Sequence, residues 1–106
     1  MAIKLIVAYP KPTDLDAFEK IYHEQHMPLA ADKLDGKTKI VLSKILGSPQ
    51  GAPAYYRMAE IHFPSMEALE ACAASPGGQE VIDHAVRIST GGRPQMMVAE
   101  EEILTF

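Results

Sequence analysis

Hydrophobic positions change rhythm several times along this chain, and each change marks an element. From Leu5 to Ala8 every residue is apolar. A strand covered on both faces reads this way, so residues 2 to 9 predict a central strand. Pro10 and Pro12 end it, because neither can donate to a ladder. At about 100° per residue, Leu15, Phe18, Ile21, Tyr22, Gln25 and Leu29 then fall on one arc, predicting a helix that buries this side. Thr13 is the expected N-cap, with Asp16 at the third position of a capping-box variant. The helix runs to about Asp32, with Pro28 as a kink or break near its end. His26 lands at the edge of the arc beside Tyr22 and Leu15, whereas His23 turns toward Glu19, Lys20 and water.

The second half repeats the alternation of strand and helix signals. Gly36 closes a turn, and Lys37 to Leu46 reads as a strand. Residues 47–53, rich in Gly and Pro, form a loop. Ala54 to Phe63 predicts a third strand, with Tyr55, Arg57, Ala59, Ile61 and Phe63 on its more apolar side. Ser65 caps a helix whose inner stripe is Met66, Leu69, Cys72 and Ala73. Ser75-Pro76 opens another, carrying Val81, Ile82, Ala85 and Val86. Gly91-Gly92 and Pro94 stop it, and residues 95–106 supply a fourth strand. The order β-α-β-β-α-(α)-β within one domain spanning 1–106 predicts an α+β, ferredoxin-like βαββαβ fold, an antiparallel four-stranded sheet with helices on one face. The other face then lacks cover. A homodimer that closes a barrel from two sheets is the natural solution.

Composition narrows the function classes. The 106 residues carry a formal net charge of −4, with Lys and Arg scattered rather than clustered, which argues against a nucleic-acid partner. No apolar run approaches the roughly 20 residues that span a bilayer, so no membrane partner is expected. The opening segment reads as a strand rather than as an export signal. Cys72 is the lone cysteine, which excludes an internal disulfide framework and predicts a cytoplasmic location. On its apolar stripe it reads as a buried, inert thiol.

Chemistry concentrates around residues 18–29. His23 and His26 have no acidic or cysteine partner at a supporting spacing, so no metal is expected. No phosphate-binding glycine loop, dinucleotide fingerprint or paired-cysteine motif is present, and no cofactor is expected. His26, facing inward, is the candidate general acid/base, because imidazole titrates near neutral pH. The competing reading is a histidine bonded to backbone at a helix end. Tyr9, Tyr22 and Tyr55 are the candidate substrate-binding residues that shape or polarise a pocket between helix and sheet. With the third strand taken as running parallel beside the first, Tyr55 and Arg57 come to the level of His26. His62 then comes to the level of Tyr9, on the opposite face.

Tyr9-Pro10, Asp14, Phe18, Tyr22, His26, Met27-Pro28-Leu29-Ala30 and Gly36 together resemble the opening motif of the EthD family. Ile61-His62-Phe63-Pro64-Ser65 and Ser75-Pro76-Gly77-Gly78-Gln79 are similar to its middle section. Thr90-Gly91-Gly92 and Ala99-Glu100-Glu101 extend the likeness almost end to end. The resemblance implies a ferredoxin-like subunit in a dimeric α+β barrel. The family is named for a component of bacterial ether degradation and is often labelled a reductase or oxidoreductase. Similar barrels include cofactor-free monooxygenases, lactone isomerases, and cyclases or dehydratases, in which a pocket histidine commonly transfers protons. His26 is the histidine that matches the motif. Three departures bear on pocket shape: His62 stands where the family often has Trp, Ile21 and its neighbours stand where it often has a second Tyr, and Arg87-Ile88 stand where it usually has Asn-Phe. The function expected is a cofactor-independent enzyme acting on a small apolar organic compound in a degradation pathway. The rival is a non-catalytic small-ligand carrier that serves an oxygenase pathway.

Overall fold

A computed structural model of the chain describes residues 2–106. Four strands, β1 (Ile3–Tyr9), β2 (Lys39–Lys44), β3 (Arg57–Phe63) and β4 (Gln95–Glu100), form one sheet in the order β2-β3-β1-β4. Every neighbouring pair is antiparallel. The expected ferredoxin-like arrangement is therefore present, with the apolar β1 at its centre. Val7, Ala8 and Tyr9, at its C-terminal end, are all buried.

One expectation is overturned. β3 runs antiparallel to β1, not parallel, and the strand parallel to β1 is β2, with β3 between them. The helical crossover after β1 returns the chain in the same direction but one strand's width away. The β2–β3 hairpin then fills the gap. The register places Tyr9 opposite Arg57 and His62 opposite Lys4, inverting the levels expected from a parallel pair. On the helix-covered face Leu5, Val7 and Tyr9 stand across from Ile61, Ala59 and Arg57. On the open face Lys4, Ile6 and Ala8 stand across from His62, Glu60 and Met58.

The first helical segment is not one regular helix. It consists of α1 (Leu15–Ile21), a π turn (Tyr22–His26) and α2 (Met27–Lys33). Asp14, not Thr13, is the N-cap, its carboxylate accepting from the Ala17 amide at 3.0 Å. Pro28 explains the π turn. In a continuous α-helix its ring would press on the carbonyl four residues back, and its missing N–H would leave that carbonyl unpaired. Widening the turn, so that the Met27 amide donates to the Tyr22 carbonyl, places Pro28 in the first turn of α2 instead.

The widened turn also decides which residues face inward. Four residues of α-helix advance about 400°, so positions four apart drift by about 40° per step. A wider turn takes back part of that drift. Phe18, Tyr22, His26 and Ala30 consequently all lie buried on one face. Gln25 and Leu15, which regular periodicity places on the inner arc, are exposed, Leu15 at 39%.

Two other helices complete the layer, α3 (Met66–Ala74) and α4 (Pro76–Ile88). Ser65 caps α3 as expected, accepting from the Ala68 amide at 3.2 Å. Ser75 joins the two: its hydroxyl donates to the Cys72 carbonyl at 2.6 Å and accepts from the Gly78 amide at 3.0 Å. β3 starts three residues later than periodicity suggests, and β4 ends at Glu100 rather than at residue 106. Beyond it Ile103, Leu104 and Phe106 are exposed.

Gly78 is required by this helix joint. A Cβ there would collide with the backbone carbonyl of Cys72, an immobile group at the end of α3. Gly78→Ala is expected to destabilise the fold by about 2 kcal/mol, lowering the melting temperature by roughly 10 °C. A thermal melt followed by circular dichroism checks this, and an unchanged midpoint would show that α3 and α4 separate freely.

Candidate functional site

The helices do not fill the space above the sheet. A cavity lies between them, walled by Leu5, Val7 and Tyr9 of β1, Ala59, Ile61 and Phe63 of β3, and Met96 of β4. Its helical walls include Met27, Ala30, Val81 and Ala85. It is narrow, with a volume of about 40 Å³. The lining is almost wholly apolar. Besides the Cys72 thiol, the polar side-chain groups in its wall belong to Tyr9 and His26.

These two groups meet. The Tyr9 hydroxyl lies 3.3 Å from His26 Nε2, a long contact that is readily exchanged for a closer partner. The other nitrogen of His26, Nδ1, lies 2.7 Å from Nδ1 of His84 on α4. The rings of His26 and His84 are stacked, their centroids 5.0 Å apart and their planes within 13°. On the other side of His26, Tyr22 stacks at 6.0 Å, and Phe18 stacks on Tyr22 at 5.2 Å. The column Phe18–Tyr22–His26–His84 is thus built from three rings four residues apart and one from α4. Tyr9 packs in T-shaped fashion against Phe18, Tyr22 and His26 at centroid distances of 5.4, 5.5 and 6.5 Å.

Arg57 closes the outer side of this column. Its guanidinium sits 5.5 Å from the Tyr22 ring centroid. It donates in bidentate fashion to Glu19, at 2.6 Å from Nη2 and 3.0 Å from Nε. This pair ties the start of β3 to α1, and it holds the Glu19 carboxyl below its usual range.

Burial sets the protonation states. His26 is only 4% exposed. Burial first, and the adjacent His84 second, push its pKa down to about 4, so the imidazole is neutral at neutral pH. Burial raises the Tyr9 phenol, with the neighbouring Tyr22 adding to it, which keeps Tyr9 protonated. Burial also raises Tyr22, to about 12. His84 is pushed down by burial and then by Arg87. The Cys72 thiol is pushed up by burial, in keeping with an inert sulfur.

Of the residues singled out from sequence, the structure brings Tyr9, Tyr22 and His26 together. Tyr22 supports His26 by stacking but is not in the cavity wall. Tyr55 is not brought in: it is half-buried in the segment before β3, outside the cavity lining. Antiparallel pairing, combined with the late start of β3, leaves it beyond the sheet. Its neighbour Tyr56 meets the edge of Phe18 instead. His23 is exposed, as expected, with Nδ1 2.9 Å from the Glu19 carbonyl. His84 is the residue that sequence reasoning missed. It lies three residues after Val81 and four before Ile88, both buried, so its place on the inner stripe of α4 was available as a signal. Among the described residues no cluster of three or more His, Cys, Asp or Glu side chains is placed to hold a metal ion.

A family model for the EthD domain matches residues 10–88. The chain belongs to the EthD family. An EthD family protein of Bacillus halodurans superposes with a TM-score of 0.89 at 30% identity, over 96% of this chain and all of that one. An uncharacterized 11.0 kDa protein of Rhodococcus erythropolis is 25% identical over 101 residues, covering 95% of this chain and 97% of its own. Likeness of fold alone extends to a dimeric ferredoxin-like protein of unknown function from Jannaschia, with a TM-score of 0.68, 20% identity, and 94% and 98% of the two chains covered. It extends also to SnoaB, a cofactor-independent oxygenase from Streptomyces nogalater, with a TM-score of 0.67, 12% identity, and 97% and 95% covered. The EthD match includes His26, Tyr22 and His84 and begins one residue after Tyr9. No helix among the described residues of this EthD protein is long and apolar enough to cross a membrane.

Two expectations follow from these environments. The Tyr22 hydroxyl is the one buried side-chain polar atom among the described residues without a hydrogen-bond partner. Tyr22→Phe should therefore leave stability unchanged or raise it by about 1 kcal/mol. A loss of that size in chemical denaturation would show the hydroxyl to be bonded. The second expectation concerns pH. An unfolded His binds its proton near 6.5 and folded His26 near 4, so between these values the unfolded chain holds more protons. Stability is then fully present above about pH 6.5 and declines by about 3 kcal/mol as pH falls toward 4. In His26→Gln this part of the decline should be missing from denaturation midpoints measured across the range.

Proposed function

We propose that this EthD protein is a cofactor-independent acid–base enzyme acting on a small, largely apolar organic compound, with His26 as the group that moves the proton. The observation that carries this reading is a buried, neutral imidazole in the wall of an otherwise apolar cavity, with its Nε2 beside the Tyr9 hydroxyl. A neutral imidazole accepts a proton, and a phenol that stays protonated donates a hydrogen bond. A substrate oxygen takes the Tyr9 hydrogen bond in place of the 3.3 Å contact to Nε2. His26 then removes the proton that this polarisation has acidified. The apolar walls keep water out, so both interactions are stronger than in solution. Met27 and Met96, flexible side chains in the wall, give the narrow cavity room to adapt.

Proton removal of this kind suits isomerisation and elimination, and it suits oxygenation when dioxygen is the co-substrate. Likeness to SnoaB supports the cofactor-free reading by analogy of fold. The reading includes one domain over the whole chain, because β4 lies beyond the matched segment yet supplies Met96 to the cavity. It also includes a cytoplasmic location, and a homodimer in which a second copy covers the open sheet face and the exposed Ile103, Leu104 and Phe106. The Jannaschia protein, dimeric on the same fold, supports this assembly.

The test is a panel of apolar enolisable ketones and phenols, followed by NMR in heavy water for exchange and turnover and by dioxygen uptake. The wild type should turn over at least one compound, and His26→Gln should lose roughly a hundredfold or more. Turnover surviving in His26→Gln would remove His26 from the mechanism. Tight binding of panel members with no turnover by the wild type would establish a carrier instead.

A further inference from the structure

A base buried in an apolar cavity needs a route by which its proton leaves. We propose that His84 is the outer station of a two-imidazole relay that passes protons between His26 and water. The inference rests on the acid–base role given to His26 above, and it goes beyond that role by assigning a positioning residue on a different element.

The geometry makes the pair act as one unit. Two nitrogens of the same kind lie 2.7 Å apart, His26 Nδ1 and His84 Nδ1, in rings stacked within 13°. A bond this short requires one nitrogen to carry the proton and the other to offer its lone pair. The neutral pair therefore has two arrangements. In one, His26 donates through Nδ1 and presents a bare Nε2 to the cavity. In the other, His84 donates through Nδ1 and His26 carries its proton on Nε2, facing the Tyr9 oxygen. The pair can take up one extra proton but not two, since two N–H groups cannot face each other at this distance.

The outer end of the pair is open. His84 is half-buried, and its Nε2 bonds to no protein atom among the described residues. Among the described residues only the Tyr22 hydroxyl is both buried and unpartnered, so His84 Nε2 reaches solvent. The groups facing the pair are Tyr9 from β1, Tyr22 from the π turn, and Glu80 and Arg87 on α4. None of these is a carboxylate hydrogen-bonded to either ring. A captured proton is therefore not held in an ion pair.

The transfer balances without a co-reactant. The substrate loses a proton to His26 Nε2, directly or through the Tyr9 hydroxyl, and keeps the electron pair of the broken bond. The proton on His26 Nδ1 moves to His84 Nδ1, and the proton on His84 Nε2 passes to water. The pair ends neutral, in its second arrangement, with His26 Nε2–H poised to protonate another atom of the same substrate. That delivery, with His84 taking a proton back from water, restores the first arrangement. The two arrangements thus match the two halves of a proton-shifting reaction.

The first test needs no substrate. In protein labelled with ¹⁵N at histidine, the NMR spectrum of the wild type should show a scalar coupling between His26 Nδ1 and His84 Nδ1 across a shared proton. The two rings should also titrate as a pair with a single protonation step. Two histidines that titrate independently, with no coupling, would overturn the relay whatever the enzyme does. The second test uses any compound that the wild type turns over. His84→Gln, which retains a hydrogen-bonding side chain but cannot relay, should lower kcat by about tenfold or more with KM nearly unchanged. Added imidazole should restore part of the loss to His84→Ala. Full turnover in His84→Gln together with none in His26→Gln would overturn the relay while leaving the role of His26 intact. Full turnover in both would overturn both readings.

Discussion

A proline that cannot continue a regular helix organises this protein. Pro28 is relieved by the π turn over Tyr22–His26, and that turn keeps Phe18, Tyr22, His26 and Ala30 on one buried face. Without it, a steady drift of about 40° every four residues would carry His26 away from Tyr22 and toward the rim. The stacking of His26 on Tyr22, its approach to Tyr9 and its contact with His84 all depend on this local widening. Single π turns inside α-helices occur frequently at functional sites. In this chain the π turn coincides with the most chemically loaded stretch.

The sheet separates two kinds of chemistry by its two faces. On the helix side the residues of β1 and β3 are mainly apolar and wall the cavity. On the open side Lys4 pairs with Glu60 at 2.5 Å and approaches Glu101 at 3.8 Å, and the buried His62 lies 3.5 Å from the same Glu101. Alternation along the strands produces this division, since successive side chains point to opposite faces. Of the two buried histidines, His62 has a carboxylate beside it while His26 has a phenol and a second imidazole. Burial, with the second imidazole beside it, keeps the His26 ring neutral. His26 is thus a neutral base in the wall of the cavity.

Much of this was legible along the chain. The unbroken apolar run of β1, the caps at Ser65 and Ser75 and the burial of Cys72 each follow from local rules that the surroundings do not override, and His26, read at the edge of the inner arc, is drawn fully inward by the π turn. The opening motif around Tyr22, His26 and Pro28 likewise sufficed to suggest the EthD family. Gln25 and Leu15 were misplaced because a fixed step of 100° per residue has no means of representing a widened turn. Tyr55 was misplaced because strand direction was inferred from order rather than from the crossover that inserts β3 between β1 and β2.

The sequence by itself determined the elements, their order and the identity of the central histidine, since these depend on periodicity, capping and residues close in the chain. Tertiary structure alone decided what surrounds that histidine. His84 is 58 residues from His26, and no local pattern specifies that their Nδ1 atoms should meet. The distance between them depends on how α4 packs across the π turn, and the neutrality of His26 depends on the water excluded by that packing. Both are properties of packed neighbours, so they come into being only when the sheet and the helices close on each other.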